Sequence, residues 1–193
     1  SGDTVFSTID IDIDVDGDSN TFAEVIAQTS GAFIYDAKVD GSTNAIDTTS
    51  GGSVATLDID YDIDGDNNFL TVDTGFTGGD RDLDVDITGS SNNWTINAQS
   101  STQSIVNVKQ TGDGVVTGII NHTGGDDSNM QLILAASAGA FDLTTNDVSS
   151  ASSATINLTT LGAGAFDLKQ STDNSVYNVS MTLAAGAVVD VNM

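Results

Sequence analysis

A five-residue turn motif returns through this chain at a fixed interval. "DGDSN" at 16–20 comes back as "DGSTN" at 40–44, "DGDNN" at 64–68 and "TGSSN" at 88–92. The turn glycines Gly17, Gly41, Gly65 and Gly89 are 24 residues apart, and Gly112 follows after 23. Small residues keep the beat beyond it: Ala138 with Gly139, Gly162, and Ala185 with Gly186, at steps of 26, 24 and 23. Asn20, Asn44, Asn68 and Asn92 add a second registry point three residues after each of the first four glycines. Eight such units use up the 193 residues. A unit this short cannot bury an apolar face alone, so neighbouring units must stack and share one core.

The apolar pattern supports the same frame. Counting back from the turn by two, four, six and eight residues gives Val15, Ile13, Ile11 and Ile9 in the first unit. The third unit gives Ile63, Tyr61, Ile59 and Leu57. Strict period-2 alternation marks a strand with one buried face. A less regular strand follows each turn, led by Phe22, Ile46, Leu70 with Val72, and Trp94 with Ile96. Later units offer Val116 with Ile119, Phe141 with Leu143, Phe166 with Leu168, and Val189 with Val191. Polar stretches starting at Thr29, Thr49 and Thr123 read as connectors. The chain has no proline, as expected of stacked strands whose every N–H is needed in a ladder.

These observations predict an all-β chain, a β-solenoid of about eight strand–turn–strand rungs of ~24 residues, with like strands in parallel stacked sheets ~4.8 Å apart. A triangular rung of three strands fits the same length, and a β-sandwich of hairpins is the competing architecture. Residues 1–8 read as a leader whose Val5 and Phe6 could pair with a neighbouring subunit. Residues 9–193 read as one solenoid domain.

The odd positions of the first strand face solvent. They are Asp16, Asp14, Asp12 and Asp10 in the first rung, and Asp64, Asp62, Asp60 and Asp58 in the third. Asp40, Lys38 and Asp36 lie between them, and Asp86, Asp84 and Asp82 follow. Rungs one to four thus present an acidic face and rungs five to eight a neutral one. Lys38 is expected between Asp14 and Asp62, and Lys109 beside Asp86. The whole chain has 28 acidic and 4 basic residues, a formal charge of −24. That argues strongly against nucleic acid as a partner, because phosphate must be neutralised by Lys and Arg. It also argues against anionic lipid, and no run is long and apolar enough to insert in a membrane.

Divalent cations are the ligand class such a face fits, calcium first among them. Asp12-x-Asp14-x-Asp16-Gly17 and Asp60-x-Asp62-x-Asp64-Gly65 resemble the opening of a calcium loop, but its twelfth position is Ala23 or Thr71 and not the bidentate Glu. On a strand the three acids spread over ~14 Å, so a bound cation would sit between rungs, among Asp12, Asp14, Asp36, Asp60, Asp62 and Asp84; the competing reading is a solvated acidic face that keeps the protein soluble. No other cofactor is expected. There is no cysteine, one histidine (His122, in a connector-like stretch), and no G-x-S-x-G, phosphate loop or HExxH, so the chain is not expected to be an enzyme. The start at Ser1 reads as a processed, exported chain. N-x-[ST] sequons stand at Asn93, Asn121, Asn157 and Asn178.

The fifth unit, "SIVNVKQTGDGVVTGIIN", resembles a curlin repeat. Ser104, Gln110 and Gly112 match that family's Ser, Gln and Gly at the family's spacing, while Val115, Thr117 and Asn121 stand where Asn, Ala and Gln are expected. The first four units keep the Gly-x-x-Asn turn and lack the flanking inward Gln. The resemblance implies a secreted subunit of an extracellular, amyloid-like biofilm fibre. A repeat that runs to the last residue also suggests head-to-tail self-assembly into a homopolymer. The alternative is a repeat segment of a cell-surface adhesin, or a calcium- or ice-binding solenoid module.

Overall fold

A strand that buries every second side chain needs a second sheet to bury it against, and each rung supplies one strand to each sheet. The computed structural model describes residues 8–28, 31–53, 55–77, 80–99, 104–112, 116–126, 129–137, 141–150, 153–160, 164–170, 176–183 and 185–192. The strands are β1 (Thr8–Asp16), β2 (Thr21–Gln28), β3 (Ala32–Asp40), β4 (Ala45–Ser53), β5 (Thr56–Asp64), β6 (Phe69–Thr77), β7 (Asp80–Thr88) and β8 (Asn93–Gln99). They continue as β9 (Ser104–Thr111), β10 (Val116–Asp126), β11 (Asn129–Ser137), β12 (Phe141–Ser150), β13 (Ser153–Thr160), β14 (Gly164–Gln170), β15 (Val176–Thr182) and β16 (Val188–Asn192). The odd-numbered strands form one eight-stranded sheet in chain order and the even-numbered strands another. All neighbours are parallel.

The fold is a β-solenoid with two strands per rung. The described strands fall in two sheets, not the three of a triangular rung, and each pairs in parallel with its equivalent one rung away, unlike a sandwich of hairpins. About five turns keep the regular spacing, the first four glycines at steps of 24 residues and Gly112 at 23, fewer than the eight expected. Gly17, Gly41, Gly65, Gly89 and Gly112 all have φ between 122° and 137°. Later rungs are looser, with register shifts between Thr123 and Asp126 and between Ala135 and Ser137. The turn residues Ala138, Gly139 and Gly162 lie outside the described residues, as do residues 1–7 of the expected leader. Thr8 belongs to β1.

The core lies between the sheets. From the first sheet come Phe33, Tyr35, Val39, Leu57, Ile59, Tyr61, Ile63, Leu83, Val85 and Ile87, and from the second Ile46, Leu70, Val72, Trp94 and Ile96. These are the inward positions read from the alternation. First-rung equivalents Ile9, Ile11, Ile13, Val15, Phe22 and Ile26 are only partly buried, because one side of each has no neighbour among the described residues.

The turns are held from rung to rung. The Asn20 N–H donates to Asn44 Oδ1 (2.9 Å), Asn44 N–H to Asn68 Oδ1 (2.9 Å), and Asn68 N–H to Asn92 Oδ1 (2.8 Å). Between Gly and Asn, Asp18 Oδ1 accepts from Ser42 N–H at 2.7 Å and Asp66 Oδ1 from Ser90 N–H at 2.6 Å. The fifth rung substitutes a side chain of its own: Gln110, fully buried, donates from Nε2 to the carbonyls of Gly89 (3.0 Å) and Thr111 (3.1 Å).

Three expectations need correction. The stretches from Thr49 and Thr123 are strand, the tails of β4 and β10, because a parallel stack gives even a Gly-rich backbone a partner, as Gly51 has in Gly75. His122 likewise sits within β10 rather than in a connector. In β10 the inward partner of Val116 is Ile120 and not Ile119. Between them, Gly118 pairs with Trp94 in register, and its missing side chain leaves room for the indole.

Candidate functional site: the acidic face and the end rungs

In-register stacking turns the outward residues of the first sheet into columns. One runs Asp12, Asp36, Asp60, Asp84 and then Asn107; a second runs Asp14, Lys38, Asp62, Asp86 and then Lys109. A third starts at Asp10 and passes Ile34, Asp58 and Asp82 to Ile105. Carboxylates ~5 Å apart in water repel by roughly 0.8 kcal/mol per pair. The chain offsets this locally. Lys109 Nζ pairs with Asp86 at 2.5 Å, and Asn107 Nδ2 donates to Asp84 at 2.5 Å. Lys38 stands at its expected place between Asp14 and Asp62, yet its Nζ binds Asp40, its neighbour on the same face of β3, at 2.6 Å.

The crowding shifts the acids' protonation. Asp60 is pushed up to about 6, first by partial burial and then by Asp58, Asp84, Asp36 and Asp82. Asp36 is raised by burial and by Asp12 and Asp10, and Asp82 by burial and by Asp84. The face is shallowly concave. A groove of about 710 Å³ is lined by Asp12, Asp14, Asp36, Lys38, Asp60, Asp62, Asp84 and Asp86.

Of the six acids expected to hold a cation, Asp12 and Asp36 come together with a third, Asp10. Each offers an oxygen within 4.8 Å of the other two, and all three are exposed. Asp14, Asp60, Asp62 and Asp84 do not join that group; they line the groove beside it. Three carboxylates supply three of the six to eight oxygens calcium takes, so water would supply the rest. Asp10 stands on the expected acidic face but outside the six acids expected to hold the ion.

Among the described strands, β1 and β2 stand at one end of the sheets and β15 and β16 at the other. Apolar side chains are exposed there: Val25 at the first, Val176, Val179, Val188 and Val189 at the last. Followed through the register, the inner columns headed by Ile11, Ile13 and Val15 end on Tyr177, Val179 and Met181. The outer columns headed by Asp10, Asp12, Asp14 and Asp16 end on Val176, Asn178, Ser180 and Thr182. The registry residues Gly17, Gly41, Gly65, Gly89 and Gly112 line up along the stack, and each of the last four packs on the carbonyl of the one before. No family model, no curated protein and no solved structure matches this chain.

Proposed function

We propose that this chain is a structural subunit that stacks head to tail on copies of itself, building an extracellular β-solenoid fibre of amyloid-like character. The reading is carried by the match between the two end rungs. Continuing the register across a joint sets Tyr177, Val179 and Met181 of one copy against Ile11, Ile13 and Val15 of the next, apolar on apolar. The same joint sets four neutral residues against Asp10, Asp12, Asp14 and Asp16, so no acid meets an acid there. Strand edges with unpaired N–H and C=O groups template such addition, and a head-to-tail contact that does not close propagates as a filament. The location outside the cell rests on the curlin-like fifth unit, whose Gln110 reaches inward to the turn as a registry residue. The role is mechanical, with no catalytic step.

Gly17 supplies the test. A methyl there would meet nothing closer than Asn20 Nδ2, 3.6 Å away. A docked turn would bring a carbonyl against it, just as a methyl added at Gly41 would meet the Gly17 carbonyl oxygen at 2.3 Å. Wild-type protein in EDTA is expected to gain mass by light scattering and to show unbranched filaments by electron microscopy. Gly17→Ala is expected to keep the wild-type circular dichroism and stay monomeric. Wild-type monomers at every concentration, or filaments from both proteins alike, would sink the proposal.

A further inference from the structure

The first rung carries one charge on the wrong side. Glu24, the only glutamate in the chain, lies between Phe22 and Ile26 on the inward face of β2. Its register partner Thr48 is fully buried, and the column continues through Val72, Ile96, Ile120, Thr145 and Leu168 to Val191. Glu24 Oε2 is already out of solvent and has no hydrogen-bond partner. The groups around it are the phenols of Tyr35 and Tyr61 from the opposite sheet, the Thr48 hydroxyl on β4, and Asp47 beside Thr48. None is a base. The three lysines with described side chains pair with Asp40, Asp86 and Asp167 on the outside. The hydroxyls of Tyr35, Tyr61 and Thr48 are its polar neighbours, though none sits at close hydrogen-bond distance. Burial, then Glu24, drives the Tyr35 phenol far above its ordinary range, so it stays a neutral donor.

We infer that Glu24 is a proton-operated gate on the self-stacking joint, which a second copy of the chain closes when the Glu24 side chain is the neutral acid and not when it is the carboxylate. The inference rests on the self-stacking reading. Inward residues go from partly buried in the first rung to fully buried in the second, so a docked rung covers Glu24 completely. The register then brings the Val191 position against it. A carboxylate sealed among phenols and aliphatic groups has no counter-ion, and taking it out of water is far costlier than burying the acid. The acid can instead donate its proton to the Thr48 or Tyr35 oxygen. An inward charge on an edge rung is a known way to keep edges from pairing. Here it also couples stacking to pH: a joint that takes up one proton changes the stacking constant by a factor of about ten per pH unit.

The critical concentration for stacking, measured by sedimentation of the full chain from pH 4.5 to 7.5 in EDTA, tests this. Wild type is expected to need roughly tenfold more protein per pH unit over the range in which each joint takes up a proton. Glu24→Gln, which removes the charge and leaves every outer aspartate in place, is expected to stack at pH 7 and to lose that unit slope. Calorimetry in two buffers of different ionisation enthalpy should show wild type taking up one more proton per joint than the variant. If the variant folds poorly, wild-type stacking without proton uptake still overturns the gate. Parallel pH profiles for the two proteins overturn the gate and leave self-stacking standing. Absence of any particle larger than a monomer, in either protein at any pH, overturns both.

Discussion

A methyl group at Gly65 and the same methyl at Gly17 should cost different amounts, and the difference measures the stacking. At Gly65, φ is 137° and an added Cβ would lie 2.1 Å from the Gly41 carbonyl oxygen and 2.7 Å from its carbon. At Gly17, φ is 122°, but the nearest atom is Asn20 Nδ2 at 3.6 Å. Both substitutions force an L side chain into a glycine conformation, about 1–3 kcal/mol each. Only Gly65→Ala adds a backbone clash. Carbon–oxygen contacts settle near ~3.3 Å, so the third turn must lift off the second by about 1 Å. Five hydrogen bonds cross that gap among the described residues: Gly41 N–H to Asp64 O and Thr43 N–H to Asp66 O at 2.9 Å, Phe69 N–H to Asn44 O at 2.8 Å, Asn44 N–H to Asn68 Oδ1 at 2.9 Å, and Asp66 N–H to Ser42 Oγ at 3.3 Å. Losing two of them, at about 1 kcal/mol each, takes Gly65→Ala to about 3–5 kcal/mol and leaves Gly17→Ala at about 1–3. Urea unfolding followed by circular dichroism, in dilute protein where no stacking occurs, reads both midpoints. Equal costs would refute the reasoning: the turn's own dihedral, and not the neighbouring carbonyl, would then demand glycine.

Gly118→Ala places a Cβ 2.1 Å from Trp94 Cζ2 and is expected to destabilise by about 1–3 kcal/mol. Trp94→Leu in the same chain should make the pair cost less than the sum in a double-mutant cycle. Asp36→Asn removes a like charge from between Asp12 and Asp60. It should stabilise by up to ~1 kcal/mol at low salt and by nothing measurable at 1 M salt, where screening acts within ~3 Å. Acidification should raise the melting temperature between pH 7 and 5. The folded chain holds the Asp60 proton up to about 6, and Asp36 and Asp82 are shifted the same way. These acids therefore add stability that is complete below their unfolded range and lost as pH rises through the folded value. A melting temperature that is flat or falls over this interval would remove the crowded-carboxylate account.

Where each side chain has a strict every-second-residue neighbour, the sequence reads directly into the structure. Ile9 to Val15 and Leu57 to Ile63 face inward as their alternation requires, and the Asn20–Asn44–Asn68–Asn92 ladder follows from a constant 24-residue step. Reading fails where two apolar residues stand side by side. "VVTGII" allows either parity, and the choice of Val116 with Ile120 is made by a tertiary fact, the Trp94 ring lying over Gly118. It fails again where a parallel stack overrides propensity, as in the Gly-rich tails of β4 and β10. Glu24 was hidden for a different reason. A lone acid among 28 reads as solvent-facing, although its place two residues after Phe22 and two before Ile26 already put it inside. Lys38 was placed in the right column, but the column does not say which acid a flexible side chain will choose; Asp40 on the same strand was the one in reach.

On the self-stacking reading, the distribution of charge lets an acidic stack also join copies of itself. Within the chain, Asp12, Asp36, Asp60 and Asp84 are brought together by covalent connection, so their repulsion subtracts only from folding free energy that the core between the sheets supplies. Between chains nothing tethers the partners, and the same repulsion would add to the 4–15 kcal/mol that association already costs in lost freedom. On the self-stacking reading the columns therefore have to turn neutral before the last rung, and they do: Asp12 gives way to Asn107, Gln131, Thr155 and Asn178, and Asp16 to Thr88, Thr111, Ala135, Thr159 and Thr182. The joint is then decided by the interior, where a single ionisable side chain on the inward face of β2 weighs more than a row of solvated ones outside, because it alone would be carried out of water when two copies meet.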